Sequence, residues 1–186
     1  MMPAARAATE TVAMPSTTRG CRGFTEHDPR QSPLVSLRRV RPNDGPALIR
    51  MHQRCSLATR YSRWLAPSSI FPGSYLRSLL ACSPEHIAIA AVCGGRSSRI
   101  VGLASAAATP DGCRELGFLI EDQYQRLGIG NAMLSTLMNL IGPDEGLQVS
   151  ALFENHWLVG KLSRFGTVVT HLDNNIIDAR VIRAPR

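Results

Sequence analysis

The chain has 186 residues, 44% of them apolar, and a formal net charge of +7. That length suits one domain with its own core, and no apolar run approaches the ~20 residues a bilayer-spanning helix needs, which argues against a membrane role. The five cysteines are odd in number and form no C-x-x-C pair, which argues against a disulfide framework and a zinc site and for reduced thiols in a cytoplasmic setting.

A basic balance favours polyanionic partners, either nucleic acid or a small ligand with several phosphates. The basic residues are scattered and Lys161 is the only lysine. Aromatics make up 5% of the chain, which leaves little to stack on bases. The small phosphorylated ligand is therefore preferred.

Residues 1–33 are rich in Ala, Thr, Ser, Pro and Arg without sustained periodicity and read as a disordered extension; the domain is expected to span 34–186. Leu34 to Val40 alternates as a first strand. Asn43 or Asp44 is placed to cap a helix whose Leu48, Met51 and Cys55 form one buried stripe. Ser56 to Leu65 and Ser74 to Ala81 read as two further short helices. His86 to Cys93 is a continuous apolar strand, followed by a turn at Gly94 to Ser98, a strand from Arg99 to Ala106, a turn at Thr109 to Gly112 and a strand from Arg114 to Ile120. Met133, Leu137, Leu140 and Ile141 give a helical period over Gly128 to Ile141, stopped by Gly142-Pro143. A strand at Leu147 to Leu152, a helix at Glu154 to Phe165 ended by Gly166, and strands at Val168 to His171 and Ile176 to Ile182 around a turn at Asp173 to Asn175 complete the chain. This order predicts an α/β (mixed α+β) fold: a mixed, mostly antiparallel sheet of six to seven strands with helices on both faces.

The segment that carries chemistry is Gln125-Arg126-Leu127-Gly128-Ile129-Gly130, between the end of a strand and the start of an amphipathic helix. The first turn of a helix has backbone N–H groups without internal partners, at the positive end of the helix dipole, and so makes an anion site. Glycines at 128 and 130 remove side chains that would hold a pyrophosphate away. The third glycine of the dinucleotide fingerprint is absent, and no Lys-Ser/Thr follows as in a P-loop.

The order strand, Gln-x-x-Gly-x-Gly, helix resembles the signature of the GCN5-related N-acetyltransferase superfamily, and the resemblance extends over Leu34 to Ile182. Leu37 to Asp44 resembles that family's first strand and turn, and Glu154-Asn155-His156 with Leu162 to Gly166 its second cofactor-contacting helix. Ser56, Arg60-Tyr61, Arg63-Trp64 and Ala66-Pro67, together with Arg114 to Phe118, are similar to bacterial protein-lysine acetyltransferases of the Pat type. The resemblance implies acetyl-CoA as co-substrate and a primary amine, a protein lysine or a small amine, as acceptor. It implies that the backbone of Phe118, Leu119 and Ile120 pairs with the pantetheine arm. It also implies that Gln125 to Asn131 (Gln125, Arg126, Leu127, Gly128, Ile129, Gly130, Asn131) hold the pyrophosphate and that Asn155 touches the cofactor. The acidic residue that opens the fourth strand, Glu115, falls where the family has its general base. No metal is implied, and a homodimer is compatible with the family.

Two departures bear on mechanism. Leu162 stands where many members carry a tyrosine that protonates the leaving thiolate, and Leu127 where a basic residue is common. An amine of pKa about 10.4 is mostly protonated at neutral pH, so a base is needed. Glu115 meets that need directly or through one water. Its bland alternative is an ion pair with Arg114, and Glu121, on the same strand face, is the second candidate base. A non-catalytic acyl-CoA sensor of the same fold is the alternative function that Leu162 motivates. His52 and His86 read as structural, Trp64 and Trp157 as core or rim, and Arg60, Tyr61 and Arg63 as a solvated helix face in preference to a reader of acidic protein surfaces. Cys113 lies near the proposed site without an activating base in its neighbourhood.

Overall fold

A computed structural model of the protein describes residues 34–94 and 98–183. The expected disordered extension, with Cys21, lies outside the described residues, as does the middle of the turn expected at Gly94 to Ser98. The first strand, β1 (Val35–Arg39), leads through a 3-10 turn into α1 (Gly45–Arg54). Asp44 does not cap α1 with its side chain. Its carboxylate instead accepts the Arg41 backbone N–H at 2.8 Å and two guanidinium bonds from Arg38 at 2.7 and 2.8 Å, which fastens β1 to the turn. Next come α2 (Leu57–Trp64), capped by the Ser56 hydroxyl on the Thr59 N–H, and α3 (Gly73–Leu80).

The strands β2 (His86–Cys93), β3 (Arg99–Ala108) and β4 (Cys113–Ile120) form an antiparallel meander with β1 on its outer edge. After α4 (Ile129–Met138) the chain enters β5 (Gly146–Leu152), α5 (Trp157–Leu162), β6 (Thr167–Asp173) and β7 (Ile176–Ile182). The sheet has seven strands in the order β1-β2-β3-β4-β5-β7-β6. Asn174 and Asn175 both have positive φ, 46° and 65°, the backbone a two-residue hairpin turn needs to match strand twist.

Two helices differ from expectation. Instead of one helix over Glu154 to Phe165, α5 has six residues and a 3-10 turn on each side. It buries Leu158 and Leu162, and Gly160 in its middle costs helix stability, about 1 kcal/mol relative to Ala. The α4 helix ends at Met138, and Leu140 and Ile141 belong to the turn that follows.

Each sheet face has its own core. Leu116, Tyr124, Met133, Leu137 and Leu162 belong to the one under α4 and α5, and Leu48, Met51, Leu79, Leu103 and Leu119 to the one under α1 and α3. The sheet is thus covered on both faces, as the strand and helix order predicts. Among the described residues no helix is long and apolar enough to cross a membrane.

Candidate active site

The site arises where the sheet opens. Among the described residues the only parallel pairing is between β4 and β5, and it covers just Cys113, Arg114 and Glu115 against Gly146, Leu147 and Gln148. Beyond Glu115 the two strands part. The hydrogen bond from the Glu121 N–H to the Val101 carbonyl, 2.9 Å, marks residues 121 and 101 as a directly bonded pair of the β3–β4 ladder. Leu119 and Gly117 therefore also bond to β3, while the backbone groups of Leu116, Phe118 and Ile120 point toward the gap. The expectation for Phe118, Leu119 and Ile120 divides accordingly. Phe118 presents both its N–H and its C=O to the gap, Leu119 uses its own within the sheet, and the Ile120 carbonyl accepts the Gln125 side-chain amide at 2.9 Å.

A cleft of about 1030 Å³ fills this gap. Of the residues expected at the site, all line it except Leu127 and Ile129. Leu127 stands on the surface, and the Ile129 side chain is buried in the core, so what Ile129 offers is its backbone. Arg126 and Gly128 have positive φ, 61° and 80°, and Gly128 is the cap residue from which α4 starts. The N–H groups of Ile129, Gly130 and Asn131 lack intrahelical partners, as in any first turn. A Cβ added at Gly130 would meet Ile120 Cδ1 at 3.5 Å and Trp157 Cη2 at 3.7 Å, ordinary contacts. The protein's own packing therefore leaves room for a side chain at 130, and glycine there keeps the mouth of the helix open. The Gln125 amide also reaches Thr59 Oγ1 at 3.0 Å, which ties the loop to α2. Asp122 secures the same junction, accepting from the Ser56 N–H at 2.8 Å and from the Ser56 and Thr59 hydroxyls at 2.6 and 2.7 Å. Asn155 lies across the cleft, 3.5 Å from the Ser62 hydroxyl.

The carboxylates sort clearly. Glu115 is exposed in the cleft. Its supposed ion-pair partner, Arg114, is buried and bound to Glu145 at 2.7 Å and to the Pro84 carbonyl at 2.7 Å. Glu121 does not line the cleft. It is 2% exposed, with its carboxylate on Arg54 and 3.7 Å from Arg99. The second candidate base is thus a structural anion. Glu115, Gly117 and Leu119 share the face covered by α1, α2 and α3.

His52 and His86 are buried and do not line the cleft. His52 is fully buried and accepts the Trp64 indole N–H at 3.2 Å, and burial, with Arg60 nearby, lowers its pKa. His86 lies 3.0 Å from the Ser78 hydroxyl, and burial followed by Arg63 and Arg114 lowers its pKa. Burial pushes the Cys55 thiol up to about 12, an inert core thiol. Trp157 is 45% exposed at the rim of the cleft, and Leu162 is fully buried and cannot serve chemistry there. Among the described residues no cluster of three potential metal ligands occurs.

Arg63 departs from the solvated helix face expected of it. It lines the cleft, half-buried, with Tyr75 and Ser105 beside it. The sequence did hold one signal: a glycine inside a strand, Gly117, marks a close approach.

No family model and no curated protein sequence matches the chain. Solved structures do. The GNAT domain of S. lividans PAT superposes with a TM-score of 0.64 at 16% identity, over 78% of this chain and 89% of that one. An acetyltransferase of the GNAT family from Streptococcus pneumoniae gives 0.58 at 15% identity, over 78% and 97%. The yncA protein of Salmonella typhimurium, solved with its cofactor acetyl-CoA, gives 0.59 at 13% identity, over 79% and 91%. With its parted β4 and β5, its helix-mouth loop after β4 and its seven-stranded sheet, the chain has the fold of the GCN5-related N-acetyltransferases.

Proposed function

We propose that the protein transfers an acyl group from coenzyme A to a primary amine. The observation that carries this reading is the convergence of three features on one cleft: strand backbone at Phe118 that faces the gap, the open helix mouth at Gly128 to Asn131, and an exposed carboxylate at Glu115. An extended pantetheine arm takes the place of the missing strand beside Phe118. The pyrophosphate rests on the N–H groups of Ile129, Gly130 and Asn131. The thioester supplies the activated acyl carbon. Glu115 accepts a proton from the amine, whose freed lone pair attacks that carbon. The oxyanion takes a backbone N–H facing the gap, and that of Phe118 is the best placed. The attacking nitrogen gives its second proton to water, the carbon–sulfur bond breaks, and the thiolate leaves and is protonated by solvent, since Leu162 offers no proton.

Isothermal titration with acetyl-CoA of the wild type and of Gly130→Glu tests the reading. Micromolar binding that falls by about 100-fold in the variant supports it, because the added side chain occupies the helix mouth and its carboxylate repels the pyrophosphate there. A folded wild type that does not bind acetyl-CoA would sink it. The buried Leu162 also favours a second reading, an acyl-CoA sensor without turnover. Thioester loss in the presence of amines separates the two. The fold resemblance to a PAT domain is consistent with a protein lysine as acceptor, alongside small amines.

A further inference from the structure

The side chain of Arg63 is held in an unusual manner for a residue in the last turn of a short helix. Its Nη2 donates to the Tyr75 hydroxyl at 2.9 Å. Its Cζ lies 4.4 Å from the centroid of Trp64 and 5.1 Å from that of Tyr75. It also fills the space above Gly117, where a Cβ would come within 2.3 Å of Nη2 and 2.4 Å of Cζ. Two aromatic faces, one hydroxyl and the bare backbone of β4 thus fix the plane of the guanidinium.

What this arrangement lacks is an anion. The ion pairs among the described residues involve Arg38, Arg54, Arg99, Arg114 and Arg180. Arg63 has no carboxylate within 4 Å among the described residues. Its Nη2–Tyr75 bond is its single hydrogen bond there, although a guanidinium carries five N–H donors. A planar, pre-oriented fork facing a cleft suits bidentate carboxylate binding. The position matters as much as the geometry. Gly117 and Glu115 are two residues apart on one strand face, about 7 Å at the rise of a strand. A lone ammonium approaching Glu115 therefore meets a fixed positive charge, whereas a substrate that brings its own carboxylate neutralises it.

We propose that Arg63 is a carboxylate-binding subsite of this cleft, so that one of the two substrates of the acyl transfer carries a carboxylate. The proposal rests on the acyltransferase reading above. The carboxylate comes either from the acceptor, as in an amino acid, or from the far end of a dicarboxylic acyl group on coenzyme A. A protein lysine with a simple acetyl donor supplies neither.

Two assays, each run on wild type and Arg63→Gln, separate the sources. In the first, thiol release from acetyl-CoA is followed with a panel of free L-amino acids and their C-terminal amides. In the second, titration compares succinyl-CoA with butyryl-CoA, which has the same chain length and no carboxylate. In one of the two, the wild type prefers the carboxylate by about tenfold or more, the scale of a charge-assisted hydrogen bond. That preference collapses toward one in Arg63→Gln, while acetyl-CoA affinity stays within about twofold. Equal treatment of both members of each pair by a wild type that binds acetyl-CoA overturns the subsite alone, as does a preference that survives in Arg63→Gln. A folded wild type that binds no acyl-CoA overturns the acyltransferase reading, and the subsite with it. Should Arg63→Gln fail to fold, Gly117→Ala displaces the same guanidinium and is read by the same two assays.

Discussion

The guanidinium of Arg63 occupies the volume that a side chain at residue 117 would take. The two residues are linked by exclusion: Arg63 can lie over β4 only because Gly117 has no Cβ. Gly117→Ala should therefore perturb function far more than stability. The strand gains a better β-former, and the displaced atoms are the far end of a flexible side chain, so the net change should stay within about 1 kcal/mol. Urea unfolding combined with acyl-transfer kinetics checks this; a large loss of stability at unchanged kcat/KM would contradict it.

Gly128 has φ of 80° and opens α4. An alanine there has to hold a left-handed backbone, which costs roughly 1–2 kcal/mol. For a domain of this size that lowers Tm by about 2–4 °C for each kcal/mol. Gly130 lies inside the helix with ordinary contacts around it, so Gly130→Ala should leave Tm unchanged or slightly raised. Paired melting curves of the two variants distinguish the conformational glycine from the one that leaves space for a ligand.

The two carboxylates of the β4 segment should respond in opposite ways. Glu121→Gln removes the buried partner of Arg54 and Arg99. Both arginines are partly exposed and can regain water, so the loss should be about 1–3 kcal/mol, below the range for a fully buried pair. Glu115→Gln should leave the melting curve in place and lower kcat/KM by about 10²–10⁴, the usual worth of a general base. Calorimetry and steady-state kinetics on both variants would expose any exchange of roles.

Stability should fall on mild acidification because of His52 and His86. Burial lowers the pKa of both in the folded protein, so the unfolded chain binds their protons first. Stability then drops as pH falls below the unfolded value of about 6.5 and levels off below the folded values. The hydrogen-bonded aspartates Asp44 and Asp122 act further down. Burial would raise their pKa, but hydrogen bonds from Arg38 and the Arg41 backbone at Asp44, and from Ser56 and Thr59 at Asp122, lower it overall. Their stabilisation is lost as pH falls through the usual carboxylate range toward these lowered values. Denaturant midpoints between pH 8 and 5 for wild type and His86→Gln should show a shallower acid limb in the variant.

Local information settled much of this protein. The apolar run His86 to Cys93 became a strand with those bounds, Ile176 to Ile182 likewise, and Gln125 to Gly130 became a helix mouth at the end of a strand, because short-range periodicity and backbone freedom are written into neighbouring residues. What tertiary structure alone decided is where side chains and strand edges find partners. Nothing local says that β4 and β5 part after Glu115, because that follows from how the α4 crossover and the β6–β7 hairpin set the path of β5. Nothing local says that Arg114 pairs with Glu145, that Glu121 is held by Arg54 and Arg99, or that Arg63 turns inward to lie on Gly117. Each joins residues at least 22 positions apart along the chain, as with Arg99 and Glu121. A charged side chain shows its type in the sequence, but its partner and its exposure are set by what the fold brings within a few ångströms of it.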